Sequence, residues 1–518
     1  MKRADFPNLQ TRRVFFRDAA CAALGTISLA ATIRDLRLIN AAAAQNTPED
    51  LGAYKALVCI FLSGGNDSNN LIVPYLQSAY DNYANVRQNL ALPRLDAMKL
   101  NLAAADPDGH EFFMHPSCGG LPVGTVPTVS PVGGLWKLFD EGKLGVVCNV
   151  GPLSYPMTRT QYSSGSVPRP PQLFSHSDQV THWQTSLPDH PPRTGWGGRI
   201  ADLLHPLQYD LNHDGAPDGA KISLSTSLAG ANTFEVGSNV AQYHVSTTGA
   251  VTMAGMTPAQ TDAIKGIINV TRPNLQDQEY GRVVKGALET GALLNSAIDP
   301  TGPPGTNRSD GTTPGTWVWN TPFPTSSIGN QLKMIARIIQ AGPRSSSDSP
   351  YPGLNMKRQI FFASVGSYDT HTSQTGITTD PDNPSVGAHA NLLYDLSQAM
   401  FAFQRAMEQL TLSQSVTSFT ASDFGRTFTT NGQGSDHGWG GHHMVMGGAV
   451  QGKRTYGSFP VQQVNGPDDT GLGRWIPKIA VDQYSATLAK WFGVSTGNMT
   501  TVFPNLGRFA SSDLGFLP

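Results

Sequence analysis

Carboxylate and imidazole side chains follow several apolar runs of this sequence. Asp67, Asp369 and Asp423 each come shortly after such a run, and five of the 13 histidines lie between His371 and His443. Divalent metals of intermediate softness take nitrogen and oxygen ligands, and they polarise phosphoryl or sulfuryl oxygens for hydrolysis. The pattern therefore indicates a hydrolytic site that holds two cations.

Three of these five histidines lie in a glycine-rich loop at residues 434–443. Glycine allows a backbone to approach metals closely. A simpler interpretation stays open, in which Asp67 and Asp423 cap the helices that follow them and the histidines donate hydrogen bonds within a tight loop. Taken together, the residues favour a site over this alternative.

The apolar runs predict β-strands, because a continuous run without polar alternation suits a strand covered on both faces. The predicted strands are residues 56–62, 144–150, 360–365 and 416–421. Between the last two, apolar residues recur every three or four positions from Leu393 to Leu410, which indicates an amphipathic helix. We therefore expect an α/β fold with a central, mostly parallel sheet flanked by helices. Ligands bind outside the carboxyl ends of such strands, where the acidic residues lie.

Residues 45–518 are expected to form a single domain with two long loop insertions. Further helices are predicted at about 329–341 and 482–492, each followed by a glycine. The insertion near 205–260 is expected to include a small antiparallel accessory sheet, and the one at 300–327 an excursion loop. Within the first insertion, residues 210–218 match part of a calcium-binding loop, but Lys221 stands where glutamate is needed, which favours an Asx-rich turn.

The first 44 residues resemble a twin-arginine export signal. Arg12 and Arg13 precede an uncharged run at 19–33, which is shorter than the ~20 residues that a membrane-spanning helix needs. Small residues at 42–44 offer a cleavage site. We therefore expect a periplasmic or secreted bacterial protein, with the twin-arginine export machinery as a partner and no stable membrane span after cleavage. Such export carries folded chains, so the resemblance also favours a bound metal.

Net charge argues against two classes of protein, and the cysteine count excludes a third. Lys and Arg number 36 against 38 Asp and Glu, for a net charge of -2, which argues against a nucleic-acid binder or a protein of anionic membranes. An odd number of cysteines follows residue 44, which excludes a disulfide scaffold. Cys59 and Cys148 lie within apolar runs and are expected to be buried thiols.

Five segments together resemble the exported bacterial family called domain of unknown function 1501. These segments are Leu62–Asp67, Leu173–Gln179, Gly195–Arg199, Ser422–Thr427 and Asp436–His443. That family is grouped with the alkaline phosphatase and sulfatase superfamily, whose members hydrolyse phosphate or sulfate esters with metals at the ends of a central sheet. The resemblance implies an alkaline phosphatase-like fold and divalent metal ions, such as zinc, manganese or calcium.

The resemblance also implies roles for individual residues. The implied metal ligands are Asp67, Asp369, His371, Asp423, Asp436, His437 and His442, with His437 or His442 as the last imidazole. The predicted catalytic residues are Ser175 and Ser177, either of which would be the nucleophile, and His176 between them. Phe424 departs from the superfamily, which usually has histidine after this aspartate; Asp436 and His437 would then replace the missing ligand. No sulfatase-type Cys-x-Pro-x-Arg motif occurs.

Three functions are consistent with these residues. The leading hypothesis is an exported, metal-dependent hydrolase of phosphate or sulfate esters, acting on a small-molecule or glycan ester. The second is a non-catalytic binding or assembly protein on a degenerate hydrolase fold, motivated by Phe424 and by the missing nucleophile signature. The third is a metal-independent serine hydrolase that uses Ser177 and a histidine.

Overall fold

The apolar runs of the sequence form the centre of one large sheet. The computed structural model describes residues 51–191, 193–209, 219–220, 222–250, 259–260, 263, 266, 270, 290–298, 319–348 and 353–518. The strands are β1 (Lys55–Leu62), β2 (Ile72–Pro74), β3 (Phe112–Met114), β4 (Leu144–Gly151), β5 (Ser225–Ser227), β6 (Tyr243–Ser246), β7 (Gly249–Ala250), β8 (Arg358–Val365), β9 (Val416–Ser422), β10 (Gly441–Gly447), β11 (Thr455–Tyr456) and β12 (Ile479–Ala480). All four predicted strands are confirmed, as β1, β4, β8 and β9.

Helices surround the sheet. They are α1 (Gln77–Arg87), α2 (Gly134–Asp140), α3 (Arg159–Ser164), α4 (His176–Thr185), α5 (Trp196–Tyr209), α6 (Ser327–Ala341), α7 (Ala388–Gln409), α8 (Val481–Phe492) and α9 (Met499–Val502). Short 3-10 turns lie at Gln88–Leu90, Asp96–Met98, Pro116–Gly119, Ser413–Ser415, Thr496–Asn498 and Leu506–Arg508. The three predicted helices are confirmed as α6, α7 and α8. Gly493 has a φ of 122° at the end of α8, a conformation that suits glycine and stops the helix.

Most neighbouring strands in the centre of the sheet are parallel. The order is β11-β4-β10-β9-β1-β8-β5-β6-β7, and β12 pairs with β4. β1 is parallel to both β8 and β9, whereas β10 is antiparallel to β9 and β4. The chain passes from β8 through α7 to β9, so this crossover spans β1, which lies between them. The expected largely parallel sheet flanked by helices is confirmed.

Both faces of the sheet are buried, as the unbroken apolar runs predict. Along β1, alternate residues such as Val58 and Ile60 join one core with α6 and α7. The intervening residues, such as Leu57 and Phe61, join a second core with α5 and α8. Burial of each large apolar side chain contributes about 1.5–3 kcal/mol, so these two cores hold the strand ends in fixed positions. Among the described residues, Cys59, Cys118 and Cys148 are buried free thiols, as expected for the first and last of them.

Two local predictions are wrong. The serine-rich β5 does not belong to an antiparallel accessory sheet: it extends the central sheet, parallel to β8 and to β6, and only β6 and β7 are antiparallel. The polar side chains of β5 do not indicate a strand of the central sheet. Its position there depends on backbone pairing with the edge of β8. The glycine-rich loop also ends earlier than predicted, since residues from Gly441 onward form β10 between β9 and β4, where His442 and His443 are buried.

Residues Leu51–Pro518 form one compact unit. Within the part of the chain that the structure describes, no helix is both long and apolar enough to cross a membrane. The predicted export signal, the candidate calcium loop at 210–218 and residues 300–318 of the second insertion lie outside the described residues and stay predictions.

Candidate metal centre

Three imidazoles surround the carboxylate of Asp369. The Nε2 atoms of His371 and His437 lie 3.1 and 3.4 Å from Asp369 Oδ1, and His176 Nε2 lies 3.5 Å from Oδ2. One ligand atom each from His176, Asp369 and His437 lie within 4.8 Å of one another, a spacing that a single metal ion can span. The side chain of Asp369 is 46% exposed, so this cluster is open to solvent on one side.

The fold brings these residues together at one edge of the sheet. Asp369 and His371 lie in the loop that follows β8, and His176 is the first residue of α4. His437 lies in the loop between β9 and β10, where an isolated bridge pairs it with Arg426. Because β8 and β9 run parallel to β1, their carboxyl ends meet at this edge, which is where the sequence predicts a site.

Each imidazole is fixed through its Nδ1 atom. The three hydrogen bonds are His176 Nδ1 to Asp423 Oδ2 at 2.6 Å, His371 Nδ1 to Asp436 Oδ1 at 2.9 Å and His437 Nδ1 to the Phe174 carbonyl oxygen at 2.7 Å. A carboxylate or carbonyl oxygen can only accept, so Nδ1 carries the hydrogen in every case. In its neutral form each ring then directs an Nε2 lone pair towards the neighbourhood of Asp369, the arrangement that orients histidine ligands around metals.

These lone pairs need a positive partner. The Nε2 atoms of His371 and His437 are only 2.9 Å apart, and two lone pairs at that distance repel unless a proton or a cation lies between them. His176 Nε2 is buried without any hydrogen-bond partner. A polar atom left unpaired in this way costs free energy, which a bound cation would relieve.

Arg426 holds Asp369 in place. Its guanidinium is fully buried and contacts Asp369 Oδ1. The same group donates to four backbone carbonyl oxygens, those of Gly64, Gly65, Tyr368 and Ser435, at 2.6–3.1 Å. Its donors are thus used within the protein, so we assign it an orienting role. Burial acts to raise the pKa of Asp369, but the hydrogen bond and charge of Arg426 and the nearby imidazoles hold that pKa below its usual value.

Phe424 closes one side of the cluster. Its ring centroid lies 4.8 Å from that of His176 and 4.6 Å from that of His437. Burial lowers the pKa of His437, and the charge of Arg426 acts in the same direction, while the hydrogen bond to Phe174 opposes them. The lowered pKa keeps this ring neutral near pH 7, as a metal ligand must be. The phenylalanine that follows Asp423 therefore packs against two imidazoles.

The residues present fit a divalent metal. Asp369, His176 and His437 are close enough to share one ion, and His371 lies beside them. Imidazole nitrogens with one carboxylate are a donor set that zinc and manganese accept more readily than calcium, which prefers oxygen. Behind them, Asp423 and Asp436 act on the far nitrogens of the rings and not on the shared space. Asp423 Oδ1 also accepts a hydrogen bond from the Gly64 backbone at 3.0 Å.

Two predicted ligands lie elsewhere. Asp67 is fully buried and forms an ion pair with Arg87, and it also accepts a hydrogen bond from Gln374. Burial acts to raise the pKa of Asp67, but Arg87 and the buried His389 hold it below its usual value. His442 lies on β10, where its ring stacks on Phe459 at 4.8 Å and its Nδ1 accepts a hydrogen bond from the Asn149 backbone at 3.2 Å.

The predicted nucleophiles flank His176 without contacting an imidazole. Within the described residues, Ser175 Oγ donates to Asp178 Oδ2 at 2.6 Å, and Ser177 Oγ lies 3.3 Å from the same oxygen. The two hydroxyl oxygens are 3.3 Å apart. Neither serine therefore has the histidine partner that a metal-independent serine hydrolase requires.

A second group of possible ligands was not predicted. Asp106, Asp108 and His110 lie close enough together to hold an ion. However, Asp106 already accepts hydrogen bonds from Thr455 and from the backbones of Asp108 and His110. This group is a turn whose acidic side chain is satisfied by the protein itself.

Three residues received no role from the sequence: Arg87, which pairs with Asp67, and Arg426 and the carbonyl of Phe174, which orient the cluster around Asp369. Arg87 lies 20 positions from Asp67, and Phe174 lies 263 positions from His437. Only Arg426 has a local signal, since it closes the Ser422–Arg426 segment that follows β9.

One comparison with known proteins finds a family match, and it covers part of the chain. Residues 355–500 match the model of a family described as Protein of unknown function (DUF1501), and this range includes Asp369, His371 and His437. No curated protein matches.

Among solved structures, Ps i-CgsB in complex with k-i-k-neocarrahexaose is similar at 8% identity and a TM-score of 0.30, over 89% of this chain and 77% of that one. A further structure of Ps i-CgsB has 8% identity and a TM-score of 0.27, with 72% of each chain covered. Likeness at this level carries no argument about fold or function.

Proposed function

We propose that this protein is an exported, metal-dependent hydrolase of phosphate or sulfate esters. The observation that carries the proposal is the convergence of three imidazole Nε2 atoms on Asp369 at an open edge of the sheet. We further propose an alkaline phosphatase-like arrangement of the fold and twin-arginine export to the periplasm or beyond. The sequence motifs and the arginine pair at 12–13 support these two points.

We assign a separate role to each group of residues at the site. Asp369, His176, His371 and His437 would hold the metal, which when bound supplies a Lewis acid that polarises a phosphoryl or sulfuryl oxygen. Asp423, Asp436 and the Phe174 carbonyl keep each ring in the tautomer that leaves Nε2 free. Phe424 excludes water from one side of the rings.

Ser175 and Ser177 remain the proposed nucleophiles. The shared partner of their hydroxyl groups is Asp178, whose Oδ2 lies 2.6 Å from Ser175 Oγ. A serine that attacks an ester must lose its proton, and this carboxylate is the acceptor within reach. The same contact supports the alternative function of a non-catalytic binding or assembly protein, because both hydroxyls are engaged with Asp178 and directed to no imidazole.

Metal content tests the proposal before any substrate is known. The chain purified from the periplasm after export should carry a near-stoichiometric transition metal by elemental analysis. Asp369→Asn and His176→Ala should lose it, since each removes a ligand. His190→Ala is the matched control: His190 is an exposed imidazole whose partner is Asp189, and its loss should leave the metal in place.

A further control concerns the second acidic group. Asp108→Asn should leave the metal content unchanged if the ion belongs to the Asp369 cluster. A metal-loaded protein should then be assayed against panels of phosphate and sulfate esters, with Asp369→Asn as the inactive reference. A folded chain without metal would contradict the hydrolase and favour the binding protein, to be followed by capture of glycans or protein partners.

A further inference from the structure

The segment that precedes α4 links two of the metal-binding imidazoles. The Phe174 carbonyl accepts the Nδ1 hydrogen of His437 at 2.7 Å, and His176 follows only two residues later. Phe174 has a φ of 74°, a left-handed conformation that costs free energy for a residue with a side chain. Something must hold this carbonyl towards His437.

Arg474 contacts both partners of that hydrogen bond. Its Nε donates to the His437 carbonyl oxygen at 2.8 Å, and its guanidinium lies 4.8 Å from the centroid of the Phe174 ring. A guanidinium over an aromatic face is attractive, and Arg presents it in a fixed plane. One side chain therefore ties the backbone of His437 to the ring of Phe174.

We infer that Arg474 is a positioning residue of the metal centre, which acts through Phe174 and His437. The inference rests on the proposed function, since it needs a metal at Asp369. Arg474 is half-buried and does not touch Asp369 or an imidazole nitrogen in the structure. Its effect would therefore be on how well His437 and His176 are presented together, and not on the chemistry of the ester.

The test is zinc affinity of the full-length exported chain, measured by competition with a chelator. Arg474→Gln should weaken zinc binding by about 10- to 100-fold, the usual cost of losing an outer partner of a ligand. Cobalt substitution gives a second readout, because a displaced His437 changes the visible absorption of the bound cobalt. Arg474→Lys keeps the charge without the planar Nε donor and should recover only part of the affinity.

Arg508→Gln is the matched control. Arg508 also donates to a backbone carbonyl, that of Ser154 at 3.0 Å, and lies 4.5 Å from the Tyr155 ring centroid, with an added ion pair to Asp189. Its loss should affect stability at least as much while leaving zinc affinity unchanged. Phe174→Leu is a second variant that keeps the backbone carbonyl and removes the ring, and it should weaken zinc binding in the same direction.

The outcomes separate two failures. Wild-type protein that binds no zinc would overturn the proposed function and, with it, the role of Arg474. Wild-type protein that binds zinc, with Arg474→Gln and Phe174→Leu within two-fold of it and an unchanged cobalt spectrum, would overturn the role of Arg474 alone.

Discussion

Asp67 and Asp369 follow two neighbouring parallel strands, yet their carboxylates are neutralised in different ways. Asp67, after β1, is fully buried and forms an ion pair with Arg87. Asp369, after β8, is 46% exposed, and although Arg426 contacts one of its oxygens, three imidazole Nε2 atoms also face it. Two aspartates at the same edge of the sheet thus have different roles: Asp67 stabilises the fold through an ion pair, whereas Asp369 is a candidate metal ligand.

The difference lies in where the positive charge comes from. At Asp67 the fold supplies a guanidinium, whose Nη1 also donates to the carbonyl oxygens of Thr427 and Phe428 at 3.0 and 3.3 Å. At Asp369 the fold also supplies a guanidinium, that of Arg426, but it adds three imidazole Nε2 atoms whose lone pairs a proton or a bound cation would satisfy. A carboxylate at the end of a strand is therefore available to a metal when neighbouring side chains, such as these imidazoles, also have lone pairs that a metal can accept.

The largest expected effect is on stability at Asp67. Asp67→Asn leaves Arg87 as a buried charge without its partner, which should lower the free energy of unfolding by about 3–5 kcal/mol. Metal content should not change. Chemical denaturation measures the first quantity and elemental analysis the second.

A surface aspartate gives the matched comparison. Asp140 pairs with Lys453 and Lys137, but all three side chains are about 30% exposed. Asp140→Asn should therefore cost under about 1 kcal/mol. If Asp67→Asn removed the metal while costing no more stability than Asp140→Asn, Asp67 would be a ligand and the comparison above would be wrong.

A smaller effect is expected at Asp423. Asp423→Asn keeps the shape of the side chain but can present an N–H to His176, which would shift the imidazole hydrogen to Nε2 and block the ligand position. Zinc affinity should fall by about 10- to 100-fold, while the free energy of unfolding of the metal-free protein changes little. Unchanged affinity in this variant would show that His176 does not bind the metal. Complete loss, equal to that of Asp369→Asn, would indicate that Asp423 is itself a ligand.

The fold was more predictable than the roles of the site residues. Four strands and three helices could be recognised because their apolar residues are contiguous or periodic. β10 was missed because His442 and His443 interrupt its apolar pattern, and β5 was assigned to an accessory sheet because its serines and threonine look exposed. Both strands are specified by backbone pairing with neighbours far along the chain, which a local pattern does not report.

The sequence indicated the right residue types for the site but not their arrangement. Asp369, His371 and His437 were predicted as ligands and do lie together in the structure. Asp423 was expected to be a ligand, whereas it lies behind His176, which is 247 positions away. A carboxylate faces a metal or orients a histidine depending on contacts between residues that are far apart in the sequence. The spacing of residues along the chain does not distinguish these two roles.

Glu235 offers a third case for the comparison, because it is buried and, among the described residues, has neither a guanidinium nor a cluster of imidazoles as its partner. Burial raises its pKa to about 8, against which hydrogen bonds from Asn232 and from the Thr226 backbone act only in part. The folded state therefore keeps a proton that the unfolded state loses near its ordinary pKa of 4.5.

The free energy of unfolding should consequently fall as pH rises from the unfolded pKa of Glu235 to its folded pKa, by about 1 kcal/mol between pH 7 and 8. Glu235→Gln cannot lose a proton and should abolish that part of the slope, so that the variant matches wild type at pH 5 and exceeds it at pH 8. The buried Asp482, whose pKa burial raises to about 7, is present in both proteins and cancels in their difference. Denaturation curves that stay parallel from pH 5 to 8 would mean that Glu235 is ionised in the fold, and that a buried carboxylate here needs no cation.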